Sequence, residues 1–150
     1  MNIIVVNKKK IVILFLVFAG FVATGYYYYN KKIANIKNSS SKKVSAIKLY
    51  KIFSEDPVTA KKEYTQKILE VSGEVMQITK NQQHQNIVLL KSGNESAFIN
   101  CTMEEALHGN IKISDIVSIK GICNGMGDSD TALGIFGDVY LIRCYNESKR

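Results

Sequence analysis

Residues 1–43 contain no acidic side chain, although they carry eight lysines: Lys8, Lys9, Lys10, Lys31, Lys32, Lys37, Lys42 and Lys43. The whole chain holds 20 Lys and Arg against 13 Asp and Glu, a net charge of +7 that invites a nucleic-acid reading. After residue 43 the balance is 12 basic to 13 acidic residues, so the excess belongs to the N-terminal segment alone. A domain that neutralises several phosphates needs a basic stripe. The later lysines are instead interleaved with Glu and Asp, which disfavours nucleic acid as a partner.

Signatures of catalysis are also missing. There is no GxSxG, no HExxH and no glycine-rich loop ending in Gly-Lys-Ser/Thr. The three cysteines, Cys101, Cys123 and Cys144, lack CxxC spacing, which excludes a thioredoxin-like centre. With His84 and His108, far apart in the chain, they make no zinc-ligand pattern. Asp128-Ser129-Asp130 begins like a calcium loop, but Ala132 replaces the third oxygen ligand and Val139 the bidentate Glu. These absences point to a non-enzymatic protein that uses neither metal nor cofactor.

One long hydrophobic run is present. From Ile11 to Tyr29, 19 residues carry no charge and are bracketed by Lys8–Lys10 and Lys31–Lys32. As a helix rising about 1.5 Å per residue it spans about 28 Å, near the thickness of a bilayer core. Tyr26 to Tyr29 fall where an aromatic belt meets headgroups. The sequence thus reads as a short basic tail (1–10), a transmembrane signal-anchor (11–29) and a basic, flexible linker (30–43). Cleavage near Ala23-Thr24-Gly25 is the alternative to a retained anchor. The lysine count favours a cytoplasmic domain, whereas the order of tail, basic cluster and apolar run favours export. The adopted reading is a single pass through the inner (cytoplasmic) membrane, with the domain on the outer, periplasmic side.

Residues 44–150 read as one β-rich domain. Ile47, Leu49, Tyr50 and Phe53 have helical spacing, and Asp56-Pro57 is an N-cap followed by proline at the first helical position. Val58, Ala60 and Tyr64 form the inner side of that second helix. Leu69, Val71, Gly73 and Val75 then alternate with polar residues as a strand, in which Gly73 marks a bend or a close backbone approach. Further strands are expected at Asn86–Lys91, around Ala97, Ile99 and Cys101, at Asp115–Cys123 and at Asp138–Tyr145. Thr102-Met103-Glu104-Glu105 has the pattern of a capping box opening a short helix that ends at Gly109. Five strands with a helix between the third and fourth describe a Greek-key OB barrel. The expected class is mainly β with short helices, the barrel preceded by N-terminal helices and one transmembrane helix.

The segments AIKLYKIFSEDPVTAKKEYTQKILEVSGEV, FINCTM, IVSIKGICNG and DVYLIRC resemble the tRNA-anticodon-binding-like (tRNA_anti-like) OB-fold domains of bacteria, over about residues 46–145. The sequence departs from that pattern at Tyr64-Thr65-Gln66-Lys67, where the family often has Gly in place of Gln66. The resemblance implies an OB barrel, often behind a membrane anchor or export signal, and does not imply tRNA binding. It also implies that Cys101 and Cys144 lie at like ends of neighbouring parallel strands, which makes them the candidate disulfide. Simple alternation puts Cys144 on the same side as Tyr140 and Ile142, so a bulge is required. OB barrels commonly bind on strands two and three with adjoining loops. Here that maps to about 86–100 and the 124–137 loop, with Phe98 and Lys91 as the candidate binding face. The expectation is a membrane-anchored binding module for a protein, peptide or glycan partner, with single-stranded nucleic acid as the alternative.

Overall fold

The structure, a computed structural model, describes residues 17–26, 36–107, 111–130 and 132–147. The chain divides into two units, residues 1–35 and residues 36–150. In the first, residues 17–26 are helical and all exposed. The Thr24 hydroxyl donates to the carbonyl of Gly20 at 2.7 Å, so the helix satisfies that polar group internally. Among the described residues no helix is long and apolar enough to cross a membrane. The basic tail, residues 11–16 and 27–29 of the apolar run, and residues 30–35 lie outside the described residues.

The second unit is built from β1 (Lys42–Ser45), α1 (Ala46–Glu55), α2 (Pro57–Tyr64), β2 (Ile68–Lys80), β3 (Asn86–Lys91), β4 (Phe98–Met103), β5 (Ile116–Met126) and β6 (Val139–Asn146). Strand order is β1-β2-β3-β4-β6-β5, and β2 pairs with β5 to close β2–β6 into a five-stranded barrel. β4 and β6 run parallel, and the other barrel pairs are antiparallel. β2 serves both closures because it is long: its first half faces β5, and its second half, past a bulge at Val75–Gln77, faces β3. The inward residues Leu69, Val71, Val88, Leu90, Ile99, Ile119 and Leu141 are fully buried. Burying a leucine or valine side chain of this kind contributes about 1.5–3 kcal/mol.

The helices close one side of the barrel. Ser45 caps α1 by accepting from the amide of Lys48 at 3.3 Å, and Asp56 caps α2 by accepting from Thr59 at 3.1 Å. Leu49, Tyr50 and Phe53 are buried on α1, and Ala60 and Tyr64 on α2. Ile47 and Val58 are exposed, contrary to the helical-face expectation. Each stands two residues from a buried position, about 200° round the helix. Gly73 makes the expected close approach, since a Cβ there would lie 2.8 Å from that of Ala46.

Two corrections concern local signals. The capping box does not form. Thr102 pairs with Ile87 in β4, the amide of Glu104 donates to the Cys144 carbonyl at 3.0 Å, and Glu105 takes Lys37 at 2.8 Å. Strand pairing therefore holds Thr102 and Glu104, and an ion pair with Lys37 takes the Glu105 carboxylate that a capping box would use. The expected helix end at Gly109 lies outside the described residues.

The second correction concerns the linker. From Ile36 onward, residues read as flexible spacer make fixed contacts with the barrel, and Lys42–Ser45 is a strand parallel to β2. Ile36 is buried, Lys120 donates to the Lys37 carbonyl at 2.7 Å, and Lys37 lies over the Tyr145 ring at 4.9 Å. Lys42 and Lys43 reach Glu63 and Glu70 at 3.4 and 3.5 Å. Residues 36–41 form a strap across the β5–β6 pair, and the lysines of this stretch meet protein carboxylates.

Candidate functional site

The outer surface of β3, β4 and β6 is set by strand register. Lys91 stands opposite Phe98, Leu89 opposite Asn100, and Asn100 opposite Tyr140. Because side chains alternate along a strand, Leu89, Lys91, Phe98, Asn100 and Tyr140 share the outer face, while Val88, Leu90, Ile99 and Cys101 fill the barrel. Phe98 is half-buried. Lys91 is exposed and pairs with Glu74 at 3.3 Å, which leaves it a partly neutralised cation.

Beside this face rises the connection between β5 and β6, residues 127–138. Its neck is narrow: the amide of Gly127 donates to the Asp138 carbonyl at 2.9 Å. Gly137 passes so close to Gly127 that a Cβ would overlap the Gly127 carbonyl. At the tip Asp130 and Ile135 exchange two backbone hydrogen bonds, both 2.8 Å. The Asp130 carboxylate accepts from the amides of Ala132 and Leu133 at 3.0 and 3.2 Å. Gly134 follows with φ +70°, a turn conformation that glycine adopts without steric cost. At the base, Asp138 accepts from the amide of Phe98 at 2.8 Å and so fixes the hairpin to the start of β4. Burial, and then the charge of Asp138, push the Tyr50 hydroxyl above its usual range.

This hairpin holds its apolar side chains in solvent. Leu133 is 74% exposed, Ile135 53%, Phe136 36% and Tyr140, just after the neck, 39%. Its charges are Asp128, Asp130 and Asp138, and no Lys or Arg occurs between Lys120 and Arg143. Phe98 and Tyr140 with Phe136 are aromatic, the others aliphatic, so the face offers stacking and apolar contact beside negative charge. Of these residues Phe98 and Lys91 were named from the sequence, and the 124–137 loop was placed beside them only as a segment. Tyr140 enters the face through the parallel β4–β6 register, and Leu133, Ile135 and Phe136 through a loop whose exposure has no signature in spacing.

The structure also explains the side of Cys144. An extra residue sits in β6 at Arg143, which takes φ +54°, and the register shifts opposite both neighbouring strands. Alternation is thereby reset: Tyr140 points out and Cys144 points in. All three cysteines are buried free thiols. Cys144 stands opposite Met103, whereas Cys101 stands opposite Leu141. Burial first, then hydrogen bonding with the Cys101 thiol, push the Cys144 thiol well above its usual range. Burial likewise raises Cys123. Thiols held protonated in this way are poor nucleophiles.

A second concavity lies at the same end of the barrel as the hairpin, between the α1–α2 corner and the end of β5. It measures about 240 Å³ and is lined by Phe53, Pro57, Lys61, Thr65, Asn124, Gly125 and Met126. The turn beneath it contains Gln66, which takes φ +62° at the position where the family pattern favours Gly. The amide of Gln66 donates to the Cys123 carbonyl at 2.7 Å, and its side-chain nitrogen to the Asn124 carboxamide oxygen at 3.3 Å.

Comparison with known proteins agrees with the barrel. No curated protein matches the sequence. Among solved structures, a protein described as an aspartyl-tRNA synthetase of Leishmania major Friedlin aligns with a TM-score of 0.42 and 11% identity. The alignment takes in 75% of this chain and only 22% of that one, and a likeness so distant fixes neither fold nor function. The tRNA_anti-like family model matches residues 1–134, beginning well before the segments that carry the resemblance and ending before β6. Because the match spans most of its length, the chain belongs to the tRNA_anti-like family.

Proposed function

We propose that the chain is a non-enzymatic binding module, tethered to a membrane by its N-terminal apolar segment, that captures a protein or peptide on the β3–β4–β6 face and its hairpin. One observation carries this reading: a hairpin pinned at neck, tip and base that nevertheless keeps Leu133, Ile135, Phe136 and Tyr140 in solvent. Contiguous exposed apolar side chains on a soluble surface mark interaction sites. Aromatic residues dominate the energetics of such sites.

The anchor rests on the uncharged run from Ile11 to Tyr29 and its flanking lysines. Exposure of every residue from 17 to 26 and the internal bond of Thr24 suit an apolar surrounding. The signal-like order of tail, lysines and apolar run places the domain on the outer side of the inner membrane in this reading. Single-stranded nucleic acid is the second reading, and Phe98, Tyr140 and Phe136 as stacking groups support it. The acids of the hairpin and the pairing of Lys91 with Glu74 weigh against it.

The test is capture from detergent-solubilised native membranes by the full-length chain and by a Leu133→Ser/Phe136→Ser variant. Both changes lie on an exposed loop, so thermal stability is expected to hold within about 0.5 kcal/mol. A partner retained by the native chain and lost by the variant supports the face; an identical set of captured proteins refutes it. Retention on single-stranded oligonucleotide that falls with salt and is lost in Phe98→Ala decides for nucleic acid. An alkaline phosphatase fusion after Arg150 reports the side of the membrane, with activity expected.

A further inference from the structure

The cleft between the α1–α2 corner and the end of β5 has a chemistry of its own. Thr65 lines it, and the Thr65 Oγ1 is buried with no hydrogen-bond partner among the described residues. Buried hydroxyls are rarely left so, because an unpaired one carries its full desolvation cost. Asn124 spends its carboxamide oxygen on Gln66, which leaves the NH2 group as a donor at the rim. Lys61 lines the same cleft, is exposed and makes no ion pair among the described residues.

Thr65, Asn124 and Lys61 therefore border one space, and no carboxylate lines it. The remaining walls are apolar: Phe53, Pro57 and Met126. Gly125 borders Thr65 and takes φ +101°, a left-handed conformation that favours glycine there. The space of about 240 Å³ is below the roughly 300–1,000 Å³ of pockets for drug-sized ligands.

We infer that this cleft is a binding site for a small carboxylate carrying a short apolar body. The carboxylate oxygens take the Asn124 NH2, the Lys61 charge and the Thr65 hydroxyl, which turns out of its closed position about χ1 to donate, and the aliphatic part lies against Phe53 and Met126. Charge-assisted hydrogen bonds of this kind are the stronger ones. The same chemistry is presented by a free short-chain acid and by the C-terminus of a peptide. The site is separate from the hairpin face, and either stands without the other.

The experiment is a titration of isotopically labelled full-length chain in detergent, followed through the backbone amides of Thr65, Asn124 and Gly125. The probes are butyrate, butan-1-ol, and N-acetyl-alanyl-alanine as acid and as C-terminal amide. Saturable shifts at millimolar concentration are expected with the acids and not with the alcohol or the amide. Tighter binding of the dipeptide acid identifies a peptide terminus as the ligand, and tighter binding of butyrate a free acid. Thr65→Val keeps the shape, removes an unpartnered group and should fold as the native chain does, with affinity reduced about tenfold. Lys61→Gln weakens binding in the same direction. Absence of saturable shifts, equal response to butan-1-ol, or unchanged affinity in Thr65→Val overturns the assignment.

Discussion

Gly121 on β5 tests how tightly the barrel is packed around its buried thiols. A Cβ added there would meet the Cys144 sulfur at 2.5 Å and the Ile142 carbonyl at 3.2 Å. The sulfur belongs to a side chain in a fully buried site, so it cannot swing into solvent. Overpacking of this kind costs about 1–3 kcal/mol. The stiffer unfolded chain of the Gly121→Ala variant returns about 0.4–1 kcal/mol of that. Cys144→Ala alone removes one heavy atom from the core, at about 0.5–1.5 kcal/mol by analogy with loss of a methylene. In the double variant the new methyl enters the space the sulfur has left, so its loss should not exceed that of Cys144→Ala by much. The Ile142 carbonyl, held in the β5–β6 pairing, limits the recovery. The expected coupling between the two sites is about 1–2 kcal/mol. For a domain of this size each kcal/mol moves the midpoint by about 4 °C. Urea and thermal unfolding of the four chains in mild detergent, followed by the near-ultraviolet signal of the tyrosines, measures the cycle. Additive losses from the two substitutions would show that Gly121 and Cys144 do not share one space, and the packing argument would be wrong.

Gly137→Ala should push the hairpin neck apart, because the new methyl overlaps the Gly127 carbonyl; amide exchange is expected to quicken at Gly127 and Asp130 while the amides of β2 stay protected. Gln66→Gly relieves a left-handed residue, a conformation costing roughly 1–2 kcal/mol, against a glycine penalty of about 0.5–1 kcal/mol. A small rise in the unfolding midpoint is expected, and a clear fall would mean that the Gln66–Asn124 hydrogen bond outweighs the backbone strain. We further propose that an exported domain bridges Cys101 to Cys144 and leaves Cys123 a thiol. Closing that bond requires Cα atoms about 4.4–6.8 Å apart, and with Cys144 set opposite Met103 it draws β6 along β4 at the Arg143 bulge. Alkylation under denaturing, non-reducing conditions followed by mass mapping should find one alkylated cysteine, and three would refute the bridge.

Much of the barrel was readable because its strands obey a period of two. Asn86–Lys91 was legible with its observed bounds, and the later strands within a few residues. β1 was not, since its burial follows no alternation: only Val44 of its four residues is buried, and two lysines begin it. Its strand character comes from pairing with β2, which no local pattern announces. Thr102–Glu105 failed in the opposite way, where a sound local capping signal lost to strand pairing on both sides. On the outer face of β3, β4 and β6, Phe98 and Lys91 could be placed by strand number, but Tyr140 required the register of β6 against β4. The cleft was not readable at all. That the Thr65 hydroxyl lacks a partner among the described residues is a fact of three-dimensional placement, and its neighbours Asn124 and Gly125 lie some sixty residues away in the chain.

The strap of residues 36–41 crosses at Glu105, Lys120 and Tyr145, where β4 and β6 finish and β5 starts. The hairpin and the cleft both stand at the far pole, where β5 finishes and β6 starts. A pull applied at residue 36 is thus received by one rim of the barrel, away from both the hairpin and the cleft. None of residues 36–41 lines the cleft, so the strap can change by substitution without altering that wall.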